Sequence, residues 1–225
     1  MRSLVTAIFR LATERGKAHI ASQSHFVTGA TITMYRVAVF VGSVRPTSSN
    51  LKLAKALEKL AAGKLAFDYI RIDNLPFYDD ASWNDPPPEV IRLKREIEAA
   101  DAVLFVTPEY NRSIPGLLKN AIDWPSRPFG ESVWTDKPGA IAGATGGVSG
   151  TAAAQAHLRS VLPVIGVALM GRPEIYFQSR PGAIDDDYDI TDEKMRSNLL
   201  IWVEQFRRWI ALFAEPRALE QQAVA

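Results

Sequence analysis

The chain has no cysteine, which excludes disulfides, thiolate metal sites and thiol nucleophiles together. It has almost no net charge: 26 basic residues stand against 25 acidic ones. A general nucleic-acid binder needs a one-signed field that this balance does not provide, although a local anion site is compatible with it. Long apolar runs are missing too, since none approaches the roughly 20 residues that span a bilayer. The longest candidate, Val161 to Met170, is interrupted by Pro163 and Gly166. These absences describe a soluble protein with no membrane or nucleic-acid partner, and the missing thiols suit a reducing cytoplasm.

Hydrophobic residues make up 47% of the 225 positions, enough to fill the core of one generous domain. Residues 1–33 differ from the rest. Arg2, Arg10, Arg15 and Lys17 face a single acid, Glu14, without sustained periodicity. An organellar transit segment shares that composition, but the favoured expectation is a disordered or non-native leader, with a complete domain over 34–214 beginning at Met34 and a tail over 215–225.

From Tyr35 onward strands and helices alternate. Tyr35 to Val41 is a valine-rich strand, and leucines at 51, 53, 57 and 60 mark one face of a helix over Asn50 to Ala62. Further strands are expected at Leu65 to Ile72, Asp101 to Thr107, Gly139 to Ala144 and Gly166 to Tyr176. Helices are expected at Glu89 to Ala99, Gly116 to Ile122, Thr151 to Leu162 and Asp192 to Phe213. The run "DAVLFVT" is apolar on both faces, as a central parallel strand must be. Five alternating strand–helix pairs predict a doubly wound α/β sheet.

Ligands of such sheets bind beyond the carboxyl ends of the strands. Three unusual loops lie there: "GSVRPTSSN" (Gly42 to Asn50), "TPEYNRSIPG" (Thr107 to Gly116) and "ATGGVSG" (Ala144 to Gly150). In the first, unpaired amides at a helix start, the hydroxyls of Ser43, Thr47, Ser48 and Ser49, and the guanidinium of Arg45 together suit a phosphate. The simpler alternative is that Ser48, Ser49 or Asn50 only caps the helix. The loop lacks the lysine-serine ending of a triphosphate loop and the spaced glycines of a dinucleotide fingerprint. In the third loop, Gly146 and Gly147 either admit a close backbone approach to a ligand or serve a turn of positive φ.

"TPEYNRSIPGLLKNAIDW" (Thr107 to Trp124) together with "GSVRPTSSN" resembles the NAD(P)H-dependent FMN reductase family, which includes bacterial quinone and chromate reductases. The likeness runs from about Tyr35 to Ile210. It implies a flavodoxin-like five-stranded parallel sheet in the order 2-1-3-4-5, and an FMN phosphate held by Ser43, Arg45, Ser48 and Asn50. It further implies a flavin ring contacted by Pro108, Glu109, Tyr110 and Asn111, with Thr145, Gly146 and Gly147 lining its other side. The implied activity is hydride transfer from NADPH or NADH through flavin N5 to a quinone-like or other electron-poor small molecule by a ping-pong mechanism. No side chain is then an obligatory acid or nucleophile, and Glu109 is expected to be a solvated loop residue. The family pattern also implies a homodimer or homotetramer, to which the aromatics of "PSRPFGESVW" (Pro125 to Trp134) are expected to contribute.

Other motifs carry less. "GVSGT" has Thr151 where a nucleophile elbow needs glycine, and two of the three histidines precede Met34. Asp185, Asp186 and Asp187 lack calcium-loop spacing and read as a solvated turn, so no metal is expected. Trp202, Phe206, Trp209 and Phe213 recur at helical spacing and belong to a core or a subunit contact, and His157 reads as a helix-face residue. A one-electron carrier of the flavodoxin type, or a flavin-binding regulatory module, is the rival to the enzyme; such carriers are usually very acidic, and this chain is balanced.

Overall fold

The computed structural model describes residues 34–223, with side chains through residue 214; the expected leader over 1–33 lies outside them. The elements are β1 (Tyr35–Val41), α1 (Ser49–Leu60), β2 (Leu65–Tyr69), α2 (Pro88–Ala99), β3 (Ala102–Val106), α3 (Gly116–Asp123), β4 (Pro138–Thr145), α4 (Ala152–Val161), β5 (Ala168–Leu169), β6 (Ile175–Gln178) and α5 (Glu193–Ala223). All pairings are parallel in the order β2-β1-β3-β4-β5, with β6 also on β4. The expected 2-1-3-4-5 sheet is therefore present.

Strand alternation divides the core in two. Val37, Val39, Leu104 and Val106 point toward α1 and α5, where Leu53, Leu57, Trp202 and Phe206 are buried. Ala38, Phe40, Val103 and Phe105 point the other way, toward Leu93, Ile97, Leu118 and Trp124. Every residue of β3 is buried, which is why its sequence shows no alternation of polar with apolar. Trp202 and Phe206 are core side chains, and Trp209 donates its indole N–H to Ala168 O at 2.8 Å.

The structure corrects three expectations. The fifth strand is broken: β5 pairs with Pro138 and Gly139, whereas β6 resumes opposite Ala142. Residues 170–174 lie outside both strands; this stretch holds Gly171 and Pro173, and proline has no amide for the ladder. Trp134 is also buried, its ring 5.6 Å from that of Phe40 and 5.8 Å from that of Phe105. Its indole N–H donates to Ile122 O. Of the aromatics in "PSRPFGESVW", Phe129 alone is exposed. Farther along the chain, α5 continues past Phe213 to Ala223.

Candidate functional site

The three loops emerge from the carboxyl ends of β1, β3 and β4, which are neighbours in the sheet. One glycine brings the third loop's helix in close. A Cβ at Gly143 would overlap Thr151 Oγ1, so its absence lets the start of α4 sit directly on the end of β4.

In the first loop, Ser48 caps α1, its Oγ accepting from Leu51 N at 3.2 Å. The amides of Ser49 and Asn50, in the first turn, have no intrahelical acceptor. Asn50 is buried, and both ends of its side-chain amide are engaged: Nδ2 donates to Ala144 O and Oδ1 accepts from Ala144 N, each at 2.9 Å. What Asn50 can offer an anion is therefore its backbone N–H. Ser43 Oγ is buried and the Arg45 side chain is exposed, and neither has a hydrogen-bond or ion-pair partner among the described residues. A hydroxyl and a cation without partners, beside free helix-start amides, form an incomplete anion site. Beside Ser43 a cavity of about 220 Å³ is lined by Val44, Tyr69 and Arg71 among others. Burial, and then the neighbouring Glu58, pushes the Tyr69 phenol well above its ordinary range, so its O–H remains a donor to Glu58 Oε2.

The second loop turns sharply. Tyr110 and Ser113 exchange backbone hydrogen bonds of 2.9 Å. Asn111 and Arg112 between them have φ of 52° and 66°, the left-handed region that costs a non-glycine residue about 1–2 kcal/mol. Tyr110 is thereby held out, 48% exposed. Glu109 is not solvated as expected: its side chain is 11% exposed, and Oε2 accepts from Ala153 N at 3.0 Å and Ala154 N at 3.3 Å. Its partly buried, bonded state had no sequence signal, because the partners lie on another element. Ser113 Oγ makes a further bond, 2.9 Å from His157 Nδ1, so His157 is an exposed helix residue tied to this loop.

In the third loop, neither Gly146 nor Gly147 has positive φ; the left-handed residue is Gly150, at φ +61°. A Cβ at Gly146 or Gly147 would meet nothing nearer than 3.9 Å. No positive φ and no close contact within the described residues demands glycine there, so the bare backbone is open to a close approach. Thr145 closes β4, and its carbonyl accepts from Ser179 N. The acidic segment is accounted for separately: Asp185 Oδ1 accepts from the amides of Asp187 and Asp189, while Lys52 and Lys59 pair with Asp186 and Asp189.

These residues fit FMN. The unmet hydroxyl, cation and amides suit its phosphate, and the projecting Tyr110 and bare Gly146–Gly147 backbone suit a flat ring. Comparison with known proteins points the same way. The family model described as NADPH-dependent FMN reductase matches residues 35–181. A 2-hydroxy-1,4-benzoquinone reductase of a Burkholderia species is 45% identical over 175 residues, covering 78% of this chain and 96% of its own. A quinone reductase of Pseudomonas putida is 42% identical over 180 residues, covering 80% and 96%. Among solved structures, the flavoenzyme NAD(P)H:(acceptor) oxidoreductase of Paracoccus denitrificans superposes with a TM-score of 0.78 at 48% identity, covering 80% of this chain and 99% of that one. A WrbA-like flavodoxin of Agrobacterium tumefaciens, at 16% identity with a TM-score of 0.52 over 80% of this chain and 99% of its own, shares the fold alone. With the matched stretch spanning all three loops, the chain belongs to the NADPH-dependent FMN reductase family.

Proposed function

We propose that this chain is an FMN-dependent NAD(P)H oxidoreductase that reduces quinone-like or other electron-poor small molecules by a ping-pong mechanism. Overall, NAD(P)H and a proton reduce one quinone to its quinol and leave NAD(P)⁺, so two electrons are transferred. The chemistry FMN would supply when bound is acceptance of hydride at N5 from NAD(P)H and its delivery to the acceptor.

The protein's residues bind and orient. Ser43, Arg45, Ser48 and the Ser49 and Asn50 amides hold the phosphate. Pro108, Glu109, Tyr110 and Asn111 form one wall of the ring pocket, and Thr145, Gly146 and Gly147 the other. Backbone amides of these loops would meet the polar ring edge, and Tyr110 would supply aromatic surface. No side chain in this set is required as an acid or nucleophile, so donor and acceptor can use the same open face in turn. A homodimer or homotetramer with the flavin near a subunit boundary, its open face left accessible, belongs to the same reading; the exposed Val44, Tyr110 and Val148 on the three loops support it.

The observation that carries this reading is the pairing of an incomplete anion site with a glycine loop that nothing among the described residues fills. Purified protein should be yellow, bleach anaerobically with NADPH or NADH, and regain colour on addition of a quinone. Double-reciprocal plots at several acceptor concentrations should be parallel. Holoprotein that no pyridine nucleotide reduces would sink the enzyme reading and leave an electron carrier or flavin module.

A further inference from the structure

We propose that Glu109 is a positioning residue: its side chain caps α4 from the β3 loop and thereby fixes the separation between the Tyr110 turn and the Gly146–Gly147 loop. The inference rests on the flavin reading above, since those two loops are the walls of the proposed ring pocket.

The start of α4 has no cap of its own. Its N-cap residue, Thr151, makes no side-chain cap bond; the fully buried Thr151 Oγ1 accepts instead from Gln155 Nε2 within the helix. The amides of Ala153 and Ala154 would then be left without acceptors. Glu109 supplies one oxygen to both, from a loop that is remote in sequence. A carboxylate there also opposes the positive end of the helix dipole. Its other oxygen lies 3.6 Å from Arg112 Nη1, but that arginine side chain is 80% exposed, so the helix start is the main partner.

Two features make this more than a cap. The β3 loop is fastened to α4 twice, at Glu109 and again through Ser113 to His157, and the left-handed Tyr110–Ser113 turn stands between the fastenings. The Gly146–Gly147 loop, for its part, runs directly into Thr151 and the same helix start. Both walls are thus referenced to one point, and Glu109 is the side chain that joins them. With Oε2 bonded to α4 and Oε1 facing Arg112, Glu109 would meet the flavin only through its backbone and act on it indirectly.

The test is titration of FMN and of riboflavin into the flavin-free full chain, with thermal unfolding measured alongside. Glu109→Ala should weaken both flavins about equally, by roughly tenfold, because the ring pocket is disturbed while the phosphate loop is intact. Glu109→Gln keeps an acceptor for the helix amides and should bind both within about threefold of the parent. Adding Ala153→Asp to Glu109→Ala returns a carboxylate to the helix start without rejoining the loops; it should restore the unfolding temperature but not flavin affinity. Recovery of both by the double variant would reduce Glu109 to an ordinary cap and overturn the inference. So would unchanged flavin affinity in Glu109→Ala, or a tenfold loss in Glu109→Gln, which carries the test if the alanine variant does not fold. A parent chain that takes up neither flavin would instead overturn the flavin reading, and this inference with it.

Discussion

The side chain of Asn50 closes a two-bond ring with the backbone of Ala144, joining the first turn of α1 to the end of β4 at 2.9 Å through both amide atoms. The two residues are 94 positions apart, and the bonds lie where the phosphate loop and the glycine loop meet. Asn50→Ala would strand a buried carbonyl and a buried N–H on Ala144. At about 1–3 kcal/mol for each unsatisfied group, the expected loss is roughly 2–6 kcal/mol by urea denaturation of flavin-free protein. A variant of parental stability that loses only FMN affinity would show that the side chain serves phosphate directly.

Arg45 tests the anion site. If its guanidinium meets the FMN phosphate, Arg45→Ala removes a charge-assisted hydrogen bond of about 1.5–3 kcal/mol, weakening FMN by about ten- to a hundred-and-fifty-fold. Riboflavin, which lacks the phosphate, should bind parent and variant alike. Arg45→Lys should recover only part of the loss, because lysine offers a point charge in place of a planar fork. Equal losses for the two flavins would assign Arg45 to loop shape.

Gly146 and Gly147 separate fold from site in the opposite sense. Since a Cβ at either meets no neighbour within 3.9 Å, and neither φ is positive, alanine should leave flavin-free stability unchanged or raise it by about 0.4–1 kcal/mol. Flavin affinity should fall, and by similar amounts for FMN and riboflavin. A destabilised flavin-free variant with normal affinity would return these glycines to a purely structural role.

Away from the site, Glu204 gives a pH signature. Arg207, with Arg208 and Lys64 also near, holds its carboxyl well below the usual carboxylate range, at about 2 rather than 4.5. A lowered folded-state pKa contributes stability that is present above the unfolded value and lost as pH falls toward the folded one. The stability gap between parent and Glu204→Gln should therefore be constant near neutrality and shrink between about pH 4.5 and pH 2. It should also be small, because the cluster is solvent-screened. A gap that widens on acidification would contradict the assignment.

How much of this was legible follows from where the determinants lie. The apolar runs of β1 and β3, and the leucines of α1, encode their elements locally, so the sheet and its order could be read or inferred. The break between β5 and β6 was signalled by Gly171 and Pro173 in "MGRPE", but the register in which β6 resumes against β4 has no local pattern. Trp134 looks exposed amid polar neighbours until the topology brings Phe40 and Phe105 beneath it. The Asn111–Arg112 turn hides because hairpin turns of positive φ usually announce themselves with glycine. The loops were identifiable as a set from their residue types. The fastenings of Asn50 and Glu109 were not, since a hydrogen bond spanning 94 or 44 positions leaves no local pattern.

Those fastenings also bear on the life of the cofactor. Asn50 to Ala144, Glu109 to α4 and Ser113 to His157 are made by the chain with itself, so the pocket walls hold their register before any flavin arrives. Little binding free energy then goes into ordering them. The expected consequence is that FMN leaves and returns without the sheet or its loops refolding, so that protein stripped of flavin keeps its fold and regains colour when FMN is added back.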